Sequence, residues 1–77
     1  MTFRPLETVV LDRDLPSHGL MRGDLGVVVH VHDPDGLEVE FVSASGKTEA
    51  LITLEVHDVR KVTDSDLMSV RTLRPSA

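Results

Sequence analysis

The sequence contains no cysteine, tryptophan or tyrosine, and its only aromatic residues are Phe3 and Phe41. Without cysteine the chain has no disulfide, no thiolate ligand for zinc and no cysteine nucleophile. With two aromatic rings, the core has to be built from aliphatic side chains, and few rings are left for stacking on nucleic-acid bases. A chain of 77 residues makes one domain at most. A domain of this size buries only about 60% of the surface that its unfolded chain exposes.

Long apolar runs are also missing. No run approaches the roughly 20 residues that a membrane-spanning helix needs. The first ten residues, MTFRPLETVV, lack the basic and then apolar layout of a signal peptide. We therefore expect a soluble, cytoplasmic protein.

The charge is unevenly distributed along the chain. Thirteen acidic residues stand against eight lysines and arginines, a net charge of −5. Residues 1–58 hold eleven of the acids and four of the bases, a net charge of −7. The rest of the chain has a net charge of +2, with its bases at Arg60, Lys61, Arg71 and Arg74. An acidic body favours a basic protein partner over a phosphate backbone.

The apolar residues repeat with a period of two, which is typical of half-buried antiparallel strands. In LEVEF, the apolar Leu37, Val39 and Phe41 alternate with glutamates, and EALITL alternates in the same way. DPDG and SASG mark the turns between these strands. The pattern predicts an all-β, small SH3-like barrel of five antiparallel strands over residues 1–62. LEVHDV would form a short 3₁₀ turn before the last strand, and residues 63–77 would form a tail that adds a sixth strand or one helical turn.

The segment MRGDLG, just before the second strand, resembles a phosphate-binding loop only in its glycines. It lacks a following helix and a Lys-Ser/Thr pair, so a tight turn is the better interpretation. Gly23 would adopt positive φ, Asp24 would close the turn through its side chain, and Gly26 would allow a bulge or a close strand crossing. The stretch RGDLGVVVHV also looks like the turn and strand of KOW-type barrels, which bind ribosomal RNA or RNA polymerase.

Over about residues 7–62 the chain resembles a family of short, stand-alone bacterial proteins known as a domain of unknown function, number forty-nine twenty-six. The resemblance is carried by VVLDRDLPSHGLMRGDLGVVVHVH, LEVEFV, EALITLE and DVRKV, in that order and spacing. The chain departs from the pattern at Leu37, where an aromatic residue is expected. The resemblance implies an SH3-like barrel without established catalytic residues. It also implies one half of a two-gene pair, with an antitoxin-like or immunity-type role.

Two histidines and two glutamates make a candidate metal site. His30 and His32 lie two apart on the second strand and share a face, as do Glu38 and Glu40 on the third. If DPDG closes a hairpin, these four side chains come close enough to hold zinc or another divalent ion. The alternative is His–Glu pairing across the strands on a solvated face, which contributes roughly 0.2–1 kcal/mol per pair. We favour the alternative and expect no cofactor.

No signature of an enzyme is present. Ser17 and His18 are adjacent, with Asp14 nearby, but neighbours in sequence rarely place their side chains as nucleophile and base. Asp33 and Asp35 are better explained as turn formers than as an acid and base pair.

The sequence therefore favours a non-enzymatic protein-interaction module. Residues 15–24 of the long first loop are the favoured contact because loops on a rigid barrel carry binding function. An edge strand could also pair with a strand of a partner or of a second copy of the chain, so a homo-oligomer is an alternative. The first alternative function is a KOW-like nucleic-acid or ribosome-associated module that uses the four bases near the C-terminus, and the second is a surface metal-binding domain. Two interpretations apply to Leu20, Met21 and the outward-facing Leu51. They either serve as apolar anchors for a partner or pack beneath the first loop or the tail. The candidate partner-binding residues are His18, Leu20, Met21, Arg22, Asp24, Glu38 and Glu40.

Overall fold

A computed structural model of the chain describes residues 2–73. Five strands form one antiparallel sheet in the order β4-β3-β2-β1-β5, and residues 2–73 contain no α-helix. A 3₁₀ turn at Val56–Asp58 directly precedes the last strand. The predicted all-β fold, its five strands and this turn are therefore confirmed. The strands are β1 (Thr8–Leu11), β2 (Leu25–His32), β3 (Gly36–Val42), β4 (Thr48–Glu55) and β5 (Val59–Lys61).

The apolar residues of the alternating strands form the core. Val39 is fully buried and Phe41 is 3% exposed, so the predicted facing of β3 is confirmed. Leu51 points outwards from β4 and is 59% exposed. The buried core cluster consists of Phe3, Val9, Leu11, Leu20, Val28, Leu37, Val39, Phe41, Leu54 and Val59.

Side chains of Val39 and Phe41 on β3 pack against the backbone of β2 at Gly26. A Cβ atom built on Gly26 would lie 2.5 Å from Val39 Cγ1 and 3.0 Å from Phe41 Cε1. A heavy atom cannot occupy that position without moving its neighbours, so glycine is required for the core to close here. This is the close strand crossing that the sequence indicated.

The tail does not add a sixth strand within the described residues. Residues 63–73, which we call the strap, carry no strand, although LMSVRTL has an alternating pattern. A single turn forms instead at its start, where the Asp66 N–H donates to the Thr63 carbonyl over 3.1 Å. The strap then passes from β5 to the β1–β2 loop, where its side chains are held by ion pairs. Residues 74–77 lie outside the described part of the chain, and with them Arg74.

One charged side chain is buried in the body of the domain. Asp58 is 7% exposed and ends the second 3₁₀ turn. Its carboxylate accepts a hydrogen bond from the Glu55 N–H over 2.9 Å and faces Arg13 Nη1 at 3.4 Å. Because the group is paired and hydrogen-bonded, its burial needs no catalytic explanation.

Candidate functional site

The turn before β2 is closed by the side chain of Asp24. The Met21 N–H donates to Asp24 Oδ2 over 2.8 Å, and the Asp24 N–H donates to the Met21 carbonyl over 3.0 Å. Gly23 has a φ of +98°, which favours glycine. Both conformational predictions for this turn are confirmed, and a strand follows the turn in place of the helix that a phosphate loop requires.

The other loop residues proposed to contact a partner are not equally accessible. His18 ends an exposed 3₁₀ turn at Pro16–His18, and Met21 is 46% exposed. Leu20 is only 4% exposed and packs in the core cluster, so its side chain offers no surface anchor. Arg22 is exposed and pairs within the loop, because its Nη2 lies 3.1 Å from Asp12 Oδ1.

Asp24 is also bound by an arginine from the strap. Arg71 Nε donates to Asp24 Oδ1 over 2.7 Å, and Arg71 Nη2 bonds both Asp24 Oδ2 and the Gly19 carbonyl, the latter over 3.0 Å. Burial would by itself raise the pKa of Asp24, but the hydrogen bonds from Arg71 and from the Met21 N–H outweigh it and lower that pKa. We call Asp24, the Gly19 carbonyl and the Met21 N–H the arginine socket.

A second arginine fixes the start of the strap. Arg60 Nη1 and Nη2 donate to the two carboxylate oxygens of Asp66 over 2.9 and 3.0 Å. The Thr63 N–H adds a third hydrogen bond to Asp66 Oδ2 over 2.7 Å. The hydrogen bond from Arg60 is the largest of the effects that lower the pKa of Asp66. The strap is thus tied down by two bidentate ion pairs.

A cleft of about 780 Å³ lies between the strap and the sheet. Val10, Leu20 and Phe41 contribute to its apolar lining, and Met21 and Asp24 of the arginine socket line it as well. In cross-strand register Val10 lies opposite Leu25 of β2 and Arg60 of β5. The cleft therefore lies on the side of these strands that the strap crosses.

The two histidines and the two glutamates meet only in part. His30 lies opposite Glu38, and His32 Nε2 is 3.2 Å from Glu38 Oε2. The imidazole rings of His30 and His32 meet edge to face at 4.5 Å. Glu40 lies opposite Val27, beyond an irregularity in the ladder between Val28 and His30, and its carboxylate accepts a hydrogen bond from the Thr48 hydroxyl.

These contacts make a cross-strand His–Glu pair and not a set of metal ligands. Among residues 2–73 no group of three or more His, Asp or Glu side chains is arranged to hold a metal ion. Glu40 lies opposite Val27, three residues before His30, and its carboxylate bonds the Thr48 hydroxyl, so it does not join the histidines.

The cationic side chains are largely neutralised by the chain's own carboxylates. Arg13, Arg22, Arg60, Lys61 and Arg71 each form an ion pair with an aspartate or glutamate. In contrast, within residues 2–73 no lysine or arginine pairs with the carboxylates of the β2–β3 turn and of strand β3. We call this set the acidic hairpin; it consists of Asp33, Asp35, Glu38 and Glu40.

Sequence reasoning missed the contacts that the strap makes. The KOW-like alternative uses Arg71 on a nucleic-acid surface, and in the structure Arg71 binds Asp24, 47 positions earlier in the chain. Arg60, which the same alternative uses, binds Asp66. The sequence signal for these contacts is the excess of acidic over basic residues. It predicts that each lysine or arginine forms an ion pair with a carboxylate, but it does not identify the carboxylate.

Comparison with known proteins identifies one family. The family model described as "Domain of unknown function (DUF4926)" matches residues 6–61, which include all five strands. No curated protein and no solved structure was found to match the chain. Among residues 2–73 no helix is long and apolar enough to cross a membrane.

Proposed function

The chain belongs to the DUF4926 family, and from that premise we propose that it is a non-enzymatic, SH3-like module that binds a basic protein partner in the cytoplasm. The observation that carries the proposal is the unequal pairing of charges. Five lysine and arginine side chains form ion pairs with carboxylates of the same chain. Within residues 2–73, no lysine or arginine pairs with a carboxylate of the acidic hairpin.

An acidic surface of this kind attracts a basic partner and repels nucleic acid. The negative charges of the acidic hairpin raise the rate of encounter with a positively charged surface, and this effect weakens as the salt concentration rises. The exposed first loop, with His18 and Met21, supplies a second contact on the same rigid sheet. The antitoxin- or immunity-like form of the proposal comes from the family resemblance, which suggests a partner encoded alongside.

Affinity capture from the native host tests this proposal. The tagged chain is compared with a Glu38→Gln/Glu40→Gln variant, and Asp64→Asn serves as a control that removes an exposed carboxylate outside the acidic hairpin. We expect a stoichiometric basic protein with the unmodified chain and with Asp64→Asn, and its loss with the double variant.

Two outcomes would contradict the proposal. Capture of RNA together with ribosomal proteins, lost on nuclease treatment, would favour the KOW-like alternative. A partner that binds all three proteins equally would show that the acidic hairpin is not the contact. The metal-binding alternative is tested separately by calorimetry. It requires that zinc titrated into the protein at micromolar concentration gives measurable heat of binding.

A further inference from the structure

The strap is held by ion pairs and contributes little apolar burial between them. Leu67 is 93% exposed, Met68 66% and Val70 99%. The two bidentate pairs, Arg60 with Asp66 and Arg71 with Asp24, lie on either side of these side chains. Residues 67–70 bury little apolar surface, so the strap is retained by its charged contacts and by Leu73, which packs against the core cluster at the end of the strap. Charged contacts at a protein surface are individually weak.

The arginine socket is formed by the domain without help from the strap. The Met21 N–H holds the Asp24 carboxylate in place, and Gly19 presents its carbonyl from a left-handed turn with φ of +70° and ψ of 18°. An antiparallel bridge between Leu15 and Leu20 braces the same loop. A guanidinium therefore meets two carboxylate oxygens and a carbonyl in fixed positions, which suits an arginine fork better than a lysine.

The socket and the strap differ in their relation to the family. Gly19, Met21 and Asp24 lie within the matched residues 6–61, whereas residues 63–73 lie beyond them. The socket thus belongs to the domain that defines the family, and its present occupant comes from outside that domain. The net charge of −7 over residues 1–58 adds a long-range attraction for a cationic ligand.

We propose that the arginine socket and its cleft are the docking site for an extended, arginine-bearing segment of the partner protein, and that the strap occupies this site in cis. This inference rests on the proposed function and names the chemistry of the partner. The partner's arginine replaces Arg71 on Asp24 and the Gly19 carbonyl. Apolar neighbours of that arginine contact the cleft beside Met21 and Leu25, which are 46% and 37% exposed.

A peptide competition in the full-length chain tests the inference. The probe is a capped peptide of sequence LMSVRTL, which copies residues 67–73, and the control peptide carries glutamine in place of its arginine. Arg71→Ala empties the socket and leaves the Arg60–Asp66 pair intact. We expect the probe to bind Arg71→Ala at least about tenfold more tightly than the unmodified chain, since the cis arginine no longer competes. The control peptide should bind both proteins weakly.

A conservative change in the socket makes the test specific. Asp24→Asn keeps an oxygen for the Met21 N–H but loses the charge that holds the guanidinium, so adding it to Arg71→Ala should abolish the gain in affinity. Amide shifts in NMR spectra of Arg71→Ala should move at Gly19, Met21 and Asp24 when the probe is added. Equal affinity of the unmodified chain and Arg71→Ala, equal affinity of the two peptides, or shifts confined to other strands would overturn the inference.

The two proposals can fail separately. A captured partner could bind Asp24→Asn as tightly as the unmodified chain and fail to bind the Glu38→Gln/Glu40→Gln variant. That result would support the proposed interaction module and overturn the arginine socket as its contact. If the probe binds as expected but the host yields no protein partner, the socket stands as an arginine site and the proposed function fails.

Discussion

At the scale of single residues, Gly26 tests the packing of β2 against β3. Gly26→Ala would place a methyl group 2.5 Å from Val39 Cγ1, so the strands have to separate. We expect the free energy of unfolding to fall by about 1–3 kcal/mol. Urea denaturation measures the change. Gly19→Asn is the matched control, because no atom lies within 4 Å of the added Cβ there and asparagine tolerates a left-handed conformation.

Phe41 tests the facing of β3 and the size of the core. Phe41→Ala removes a side chain that is 3% exposed, which costs about 3–5 kcal/mol of unfolding free energy. A domain of this size has little more stability than that, so the variant should be largely unfolded at room temperature. Leu51→Ala on the neighbouring strand should shift stability by less than about 1 kcal/mol, since Leu51 is 59% exposed. An unchanged melting temperature for Phe41→Ala would contradict the described core.

At the scale of elements, the strap should respond to pH before the sheet does. The pKa of Asp66 is lowered in the folded chain, chiefly by its hydrogen bonds from Arg60. The pKa of Asp24 is also lowered, because hydrogen bonds from Arg71 and Met21 outweigh the effect of burial. A depressed folded-state pKa means that the stabilisation is present above the unfolded value of about 4 and is lost as the pH falls below it.

We therefore expect the strap to loosen progressively as the pH falls below about 4, while the core strands persist. NMR signals of residues 67–70 should move to random-coil positions in that range, and those of Val28 and Val39 should not. Arg60→Gln is the control, because it weakens the hold on Asp66 and should loosen the start of the strap already at neutral pH. Simultaneous loss of all signals would show that the strap is an integral part of the core.

The strands could be predicted from the sequence, but the strap could not. Alternation in LEVEF and EALITL assigns each side chain of β3 and β4 to a face, and local turn signals mark where these strands end. The strap carries a similar alternation in LMSVRTL but forms no strand. Its path is decided by contacts between Arg71 and Asp24, and sequence pattern does not reveal a pairing across 47 positions.

At the scale of the whole molecule, the net charge could be predicted and its arrangement could not. Composition shows an excess of acids, which favours a basic partner. Only the structure shows that Arg60, Lys61 and Arg71 form ion pairs with carboxylates of the same chain. In the same way, the spacing of His30 and His32 predicts a shared face, but the register shift between Val28 and His30 has no signal in the sequence.

The most direct measurement for the account is a titration of the purified captured partner into the unmodified chain and into Glu38→Gln/Glu40→Gln, at low and at high salt. The account predicts that the dissociation constant of the double variant is at least about tenfold higher at low salt, and that the two constants converge as salt rises. Equal dissociation constants at every salt concentration would contradict the claim that the acidic hairpin binds the partner.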